Sequence, residues 1–78
     1  METILSIDKN IEFLITKINS DDTTKQKLFG MGIHLNDRYI KTIGNGNGPV
    51  IIQNQSNNST QIALGSDLAS LILVETVQ

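Results

Sequence analysis

The chain has no cysteine, so neither a disulfide framework nor a thiolate metal site can brace it. It has one histidine, His34, and a single imidazole with no second histidine or thiolate to join it makes a poor zinc-type site. The same scarcity argues against a hydrolase, since a serine nucleophile needs a base in reach and His34 has no evident orienting carboxylate. Tryptophan is absent, and Phe13, Phe29 and Tyr39 are the only aromatics, too few for the stacking platforms of nucleic-acid binders. A net charge of −2 supplies no basic face for a phosphate backbone. The longest aliphatic run, residues 71–74, falls far short of the ~20 residues that cross a bilayer. The opening Met-Glu-Thr-Ile-Leu lacks the basic start and long apolar run of a signal peptide.

What is present is a dense supply of Ile, Leu and Val in 78 residues. That length predicts one domain, 1–78, which buries only roughly 60–65% of its unfolded surface. No internal repeat or linker interrupts it. Residues 1–10 read as a lead-in, with Ile4, Leu5 and Ile7 available to cover a barrel mouth and Asp8-Lys9-Asn10 as a turn. Residues 13–18 predict a first strand. Asn19, Ser20, Asp21 and Asp22 are turn and cap formers, and Thr23 with Gln26 has capping-box spacing, which predicts a helix over 23–31.

A second strand is expected over Arg38–Ile43, with its faces unresolved: Tyr39, Lys41 and Ile43 share one, Ile40 and Thr42 the other. A glycine-rich loop over 44–48 leads to a third strand, 50–55. A turn at Ser56, Asn57 and Asn58 leads to a fourth, 59–64. Ser66 is placed to cap a helical turn over 67–71, and 72–77 forms the closing strand. Five short strands with one short helix predict a mainly β fold closed into a small barrel, which removes sheet edges.

The centre of this plan is residues 27–37. Leu28, Met31 and Leu35 have helical spacing, Gly32 is a natural helix stop, and Asn36 tolerates positive φ. Leu28, Phe29 and Ile33 are expected in the core. Met31 and Leu35 suit either core or contact, and with His34 they are the candidate partner-binding residues. No catalytic, metal-binding or cofactor-binding residues are assigned. Asp21, Asp22 and Asp37 could hold a hard cation weakly, but capping accounts for the first two. The glycine loop lacks the Gly-Lys-Ser/Thr of a phosphate-binding loop and runs into Pro49 and a β-branched strand.

The order of these features resembles the FeoA family of ferrous iron transport protein A. That family's Leu-Leu-x-Leu-Gly-Leu-x-Pro-Gly is matched by Leu28-Phe29-Gly30-Met31-Gly32-Ile33-His34-Leu35-Asn36. Its Gly-Pro and following β-rich stretch are matched by Gly48-Pro49-Val50-Ile51-Ile52, its later Ile-Ala-Leu by Ile62-Ala63-Leu64, its polar turn with an alanine by Ser66-Asp67-Leu68-Ala69, and its final Ile-x-Val by Ile72-Leu73-Val74. The chain departs from the family in holding Leu35-Asn36 for Pro-Gly, Asn10 where a turn often has glycine, and Lys41 where an apolar residue is usual.

The resemblance implies an SH3-like, five-stranded barrel. It also implies a non-enzymatic, cytoplasmic accessory protein of ferrous iron uptake, working through protein–protein contact with the cytoplasmic part of a FeoB-type membrane transporter. No cofactor, nucleic acid or direct membrane insertion is implied, and self-association stays open. The alternative is a stand-alone metal-sensing domain, related to the SH3-like C-terminal domain of iron-dependent repressors but without their helix-turn-helix.

Overall fold

The computed structural model describes residues 2–44, 48–56 and 60–77. Among them are six strands: β1 (Glu2–Thr3), β2 (Glu12–Ile18), β3 (Arg38–Ile43), β4 (Val50–Asn54), β5 (Gln61–Leu64) and β6 (Ile72–Thr76). Two helices join them, α1 (Asp22–Gly30) and α2 (Ser66–Ala69). The sheet is antiparallel throughout, in the order β1-β6-β2-β3-β4-β5. The five expected strands are all present, and the two-residue β1 adds a sixth by pairing Glu2 with Val74 and Thr3 with Leu73. One apolar cluster, drawn from β2 to β6, both helices and the lead-in, fills the interior. Ile4 and Ile7 lie within it, so the lead-in is part of the core. The predicted glycine loop and the Ser56–Asn58 turn fall largely on residues 45–47 and 57–59, outside the described residues.

The α1 helix begins one residue before the expected span of 23–31, and its cap lies two residues before the one that the capping-box spacing suggests. Asp21, not Thr23, is the N-cap: its backbone is extended and its carboxylate accepts the Thr24 N–H at 2.9 Å. Aspartate is a stronger cap than threonine and places negative charge at the positive end of the helix. That hydrogen bond holds the Asp21 pKa below the ordinary carboxylate value.

The helix stops as expected. Gly32 has φ +100°, its N–H reaches the Phe29 carbonyl at 3.1 Å, and the Ile33 N–H reaches back to Leu28 at 3.0 Å. This pair of bonds is a Schellman motif, with the accompanying apolar contact supplied by fully buried Leu28 and Ile33. Gly32→Ala should therefore lower stability by about 1 kcal/mol or more, seen as an earlier urea midpoint at unchanged slope, because an L side chain is strained at this φ. Its Cβ would also sit 3.4 Å from Ile62 Cδ1.

At α2 the expected cap is displaced. Gly65 is the N-cap, without a side-chain hydrogen bond, and Ser66 lies inside the first turn, its carbonyl accepting the Ser70 N–H. Asn10 (φ 71°) and Asn36 (φ 68°) both adopt left-handed backbone, which asparagine tolerates better than other non-glycine residues.

Two β-bulges decide which side chains face inward. Between β2 and β6, Ile15 pairs with Val74 and Lys17 with Leu73, leaving Thr16 as the extra residue. Between β3 and β4, Lys41 pairs with Ile52 and Ile43 with Ile51, leaving Thr42 extra. At each bulge the threonine hydroxyl donates to the carbonyl of a facing residue, Thr16 to Leu73 at 3.2 Å and Thr42 to Ile51 at 3.1 Å. The first bulge lets Ile15 and Ile18, three residues apart, both point into the core while Thr16 and Lys17 both point out. The second settles the faces of β3. Tyr39 and Lys41 are buried together, and Ile43 is turned to solvent at 54% exposure.

Candidate partner-binding site

Residues 31–37 leave α1 as a hook and enter β3, and Tyr39 holds that hook in shape. Its ring is fully buried and stacked on Phe13, with centroids 5.8 Å apart. Its hydroxyl donates to the Gly32 carbonyl and accepts the His34 N–H, each at 2.9 Å. The Asn36 N–H donates to the Ile15 carbonyl at 2.8 Å, and the Asn54 side-chain amide donates to Asp37 at 3.3 Å. The hook is thus tied to β2, β3 and β4.

On this frame Met31 is half-buried against the core, His34 is exposed, and Leu35 is 45% exposed. Phe29 departs from the core position expected for it: it is 39% exposed, whereas its neighbour Leu28 is fully buried. Adjacent helical residues point about 100° apart, so a two-and-a-half-turn helix that buries Leu28 turns Phe29 toward its flank. There Phe29 shares a groove with Leu35. Thr16, Lys17, Ile18 and Lys25 complete its lining, and its volume is about 160 Å³. The groove brings Leu35 together with Phe29, while Met31 and His34 lie outside its lining. Two sequence signals point to it in retrospect: Lys25 and Phe29 are four apart on one helix face, and Ile15 and Ile18 have an odd spacing for a strand.

A larger open cleft of about 690 Å³ lies elsewhere, lined by residues 5–9 with Lys41, Ile43 and Gly44. Lys41 is 1% exposed, and its ammonium donates to the carbonyls of Ile7 at 2.7 Å and Leu5 at 3.3 Å. Lys41 is therefore a pin between β3 and the lead-in. Among the described residues no three His, Asp or Glu side chains gather as a metal site. Asp21 is engaged as a cap, and Asp37 with Asn54.

The FeoA domain model matches residues 4–76, nearly the whole chain. The chain belongs to the FeoA family. A Methanocaldococcus jannaschii protein assigned as Fe(2+) transport protein A is 39% identical over 67 residues, which are 86% of this chain and 77% of that one. A crystal structure of an iron uptake regulatory protein, FeoA, superimposes with a TM-score of 0.86 over 97% of both chains, at 20% identity. The solution structure of iron(II) transport protein A from Clostridium thermocellum gives 0.81 over 97% of this chain and 46% of that one, also at 20% identity. At such identities these structures speak to the fold, which is the mainly β, SH3-like FeoA fold. The family ties the chain to Fe(2+) transport. Among the described residues no helix is long and apolar enough to cross a membrane.

Proposed function

We propose that this FeoA domain is a cytoplasmic, non-enzymatic accessory protein of ferrous iron uptake that acts by contact with the cytoplasmic part of a FeoB-type transporter. Family membership supports the process, and one observation supports the mode of action. A phenylalanine near the end of α1, Phe29, and a leucine on the hook tied by Tyr39, Leu35, are both partly exposed and line one groove. Apolar side chains held on a preorganised surface bind at a lower cost in lost freedom. The contact surface on this reading is the hook, with Leu35 and Phe29 as anchors and Met31 and His34 at its border.

Chemical-shift mapping against the transporter's soluble portion tests this directly. Shifts should concentrate on residues 29–35. Phe29→Ser and Leu35→Ser should each weaken binding at least about tenfold while the domain stays folded, with a lower unfolding midpoint because each side chain is also partly buried. No interaction at high micromolar concentration, together with unchanged iron uptake after gene deletion, would overturn the proposal. Specific micromolar binding of ferrous ion by the purified domain would favour the sensing role instead.

A further inference from the structure

The groove beside the hook has a chemistry that narrows its ligand. Building on the docking role of the hook, we propose that the groove receives one large apolar side chain presented by an acidic peptide segment of the partner.

Size is the first argument. About 160 Å³ is well below the roughly 300–1,000 Å³ of small-molecule sites, and it suits a single anchoring side chain. Its apolar lining is Ile18, Phe29 and Leu35. Charge is the second. Lys17 and Lys25 flank that apolar surface, and no carboxylate is among the lining residues, in a chain whose net charge is −2. Lysine side chains lay their stems along apolar surface and keep the ammonium in water, which suits both residues to a charged rim. An aspartate or glutamate on either side of the anchor would meet them, and a basic segment would be repelled.

Construction is the third argument. Lys17 faces outward because the bulge at Thr16 breaks the alternation of β2. Without the bulge, strict alternation from buried Ile15 would turn Lys17 inward and Ile18 outward. Lys25 and Phe29 share one face of α1 across a single turn. Leu35 is carried by the hook that Tyr39 ties. Three independent elements thus deliver two cations and an apolar floor to one place before any partner arrives.

The test uses the whole isotope-labelled domain and a blocked peptide, acetyl-Asp-Glu-Phe-Glu-Asp-amide. Expected are saturable shifts at residues 16–18, 25, 29 and 35, with affinity falling at least about threefold between roughly 20 and 200 mM salt, as an order-of-magnitude expectation for rim charges. Replacing the peptide's Phe by Ala, or its acids by Lys, should abolish the shifts. Lys17→Glu with Lys25→Glu should weaken binding at least about tenfold without changing the unfolding midpoint.

Silence up to millimolar peptide, equal binding of the lysine peptide, or shifts spread equally to Lys9 and Lys27 would each overturn the proposal. So would groove shifts that track protein dilution alone, since the occupant would then be a second copy. The two readings fail separately. If the transporter portion binds at residues 29–35 and ignores the charge reversals, the acidic-segment proposal falls and the docking role stands. If the peptide binds and the transporter portion does not, the converse holds.

Discussion

Tyr39→Phe should cost about 1–3 kcal/mol and loosen the hook while leaving the barrel folded. The lost hydroxyl serves two backbone groups, the Gly32 carbonyl and the His34 N–H, and phenylalanine leaves both without their partner. The ring itself, stacked on Phe13, stays in place. Tyr39→Ala removes that ring as well and should cost about 3–5 kcal/mol. A domain of this size holds only about 4–12 kcal/mol in all, so the alanine variant should sit near the edge of folding. Urea titration measures both. Amide exchange separates the hydroxyl from the ring: in Tyr39→Phe the His34 amide should lose protection while core amides of β2 and β6 keep theirs. Unchanged protection at His34 would mean that the hydroxyl is not what holds the hook. Burial raises the Tyr39 pKa above its ordinary 10.0. This stabilising contribution is therefore complete below pH 10 and is lost only as the solution becomes more alkaline.

Lys41→Ala is the second large effect, about 3 kcal/mol, because it deletes a buried stem and strips two carbonyls of their donor. Lys41→Met keeps the stem and should cost about 1 kcal/mol, since the open cleft beside Leu5 and Ile7 lets water reach those carbonyls. Burial pushes the Lys41 pKa below its ordinary 10.5, an effect partly opposed by the negative charge of Asp8. The unfolded chain holds this proton more tightly than the native one, so by linkage wild-type stability should climb as pH rises toward 10.5. Tyr39 pulls the other way above pH 10, so the quantity to plot is the difference between wild type and Lys41→Met. A difference that is flat with pH would show that the ammonium is not held as a buried cation, and equal losses in the alanine and methionine variants would show that the stem contributes nothing.

These two residues also show what sequence reading can and cannot reach. The turns were legible because their chemistry is local: Gly32, Asn36 and Asn10 are the residue types that accept positive φ, and they do so here. Strand positions were legible from β-branched residues between those turns. Inward and outward faces were not, because each bulge adds a residue that no period-of-two pattern contains. A regular strand would group Ile43 with Tyr39 and Lys41, and one extra threonine turns it out. Lys41 read as a departure because its partners lie 34 and 36 residues away, in a lead-in with no periodic signal.

At the candidate site, Leu35 suited either core or contact by sequence, and the structure leaves it exposed. The exposure of Phe29 was not legible, because its place depends on which single residue the short helix commits to the core. Nor could sequence place Lys17 beside Lys25, which takes the bulge and the helix docking together.

The position of β6 carries a consequence for how the molecule comes into being. It is the neighbour of both β1 and β2, and the Ile4 N–H also bonds to Ile72. The first strands made thus wait for the last. A nascent chain that has emerged only as far as Ser70 has β2, β3, β4 and β5 but lacks the strand that joins them to its own beginning. Closure across about seventy residues pays its entropy before any contact rewards it, which places this domain among the slower, topology-limited folders. During that interval the β2 edge that β6 will cover is unpaired, and that is when this domain is most exposed to misassembly.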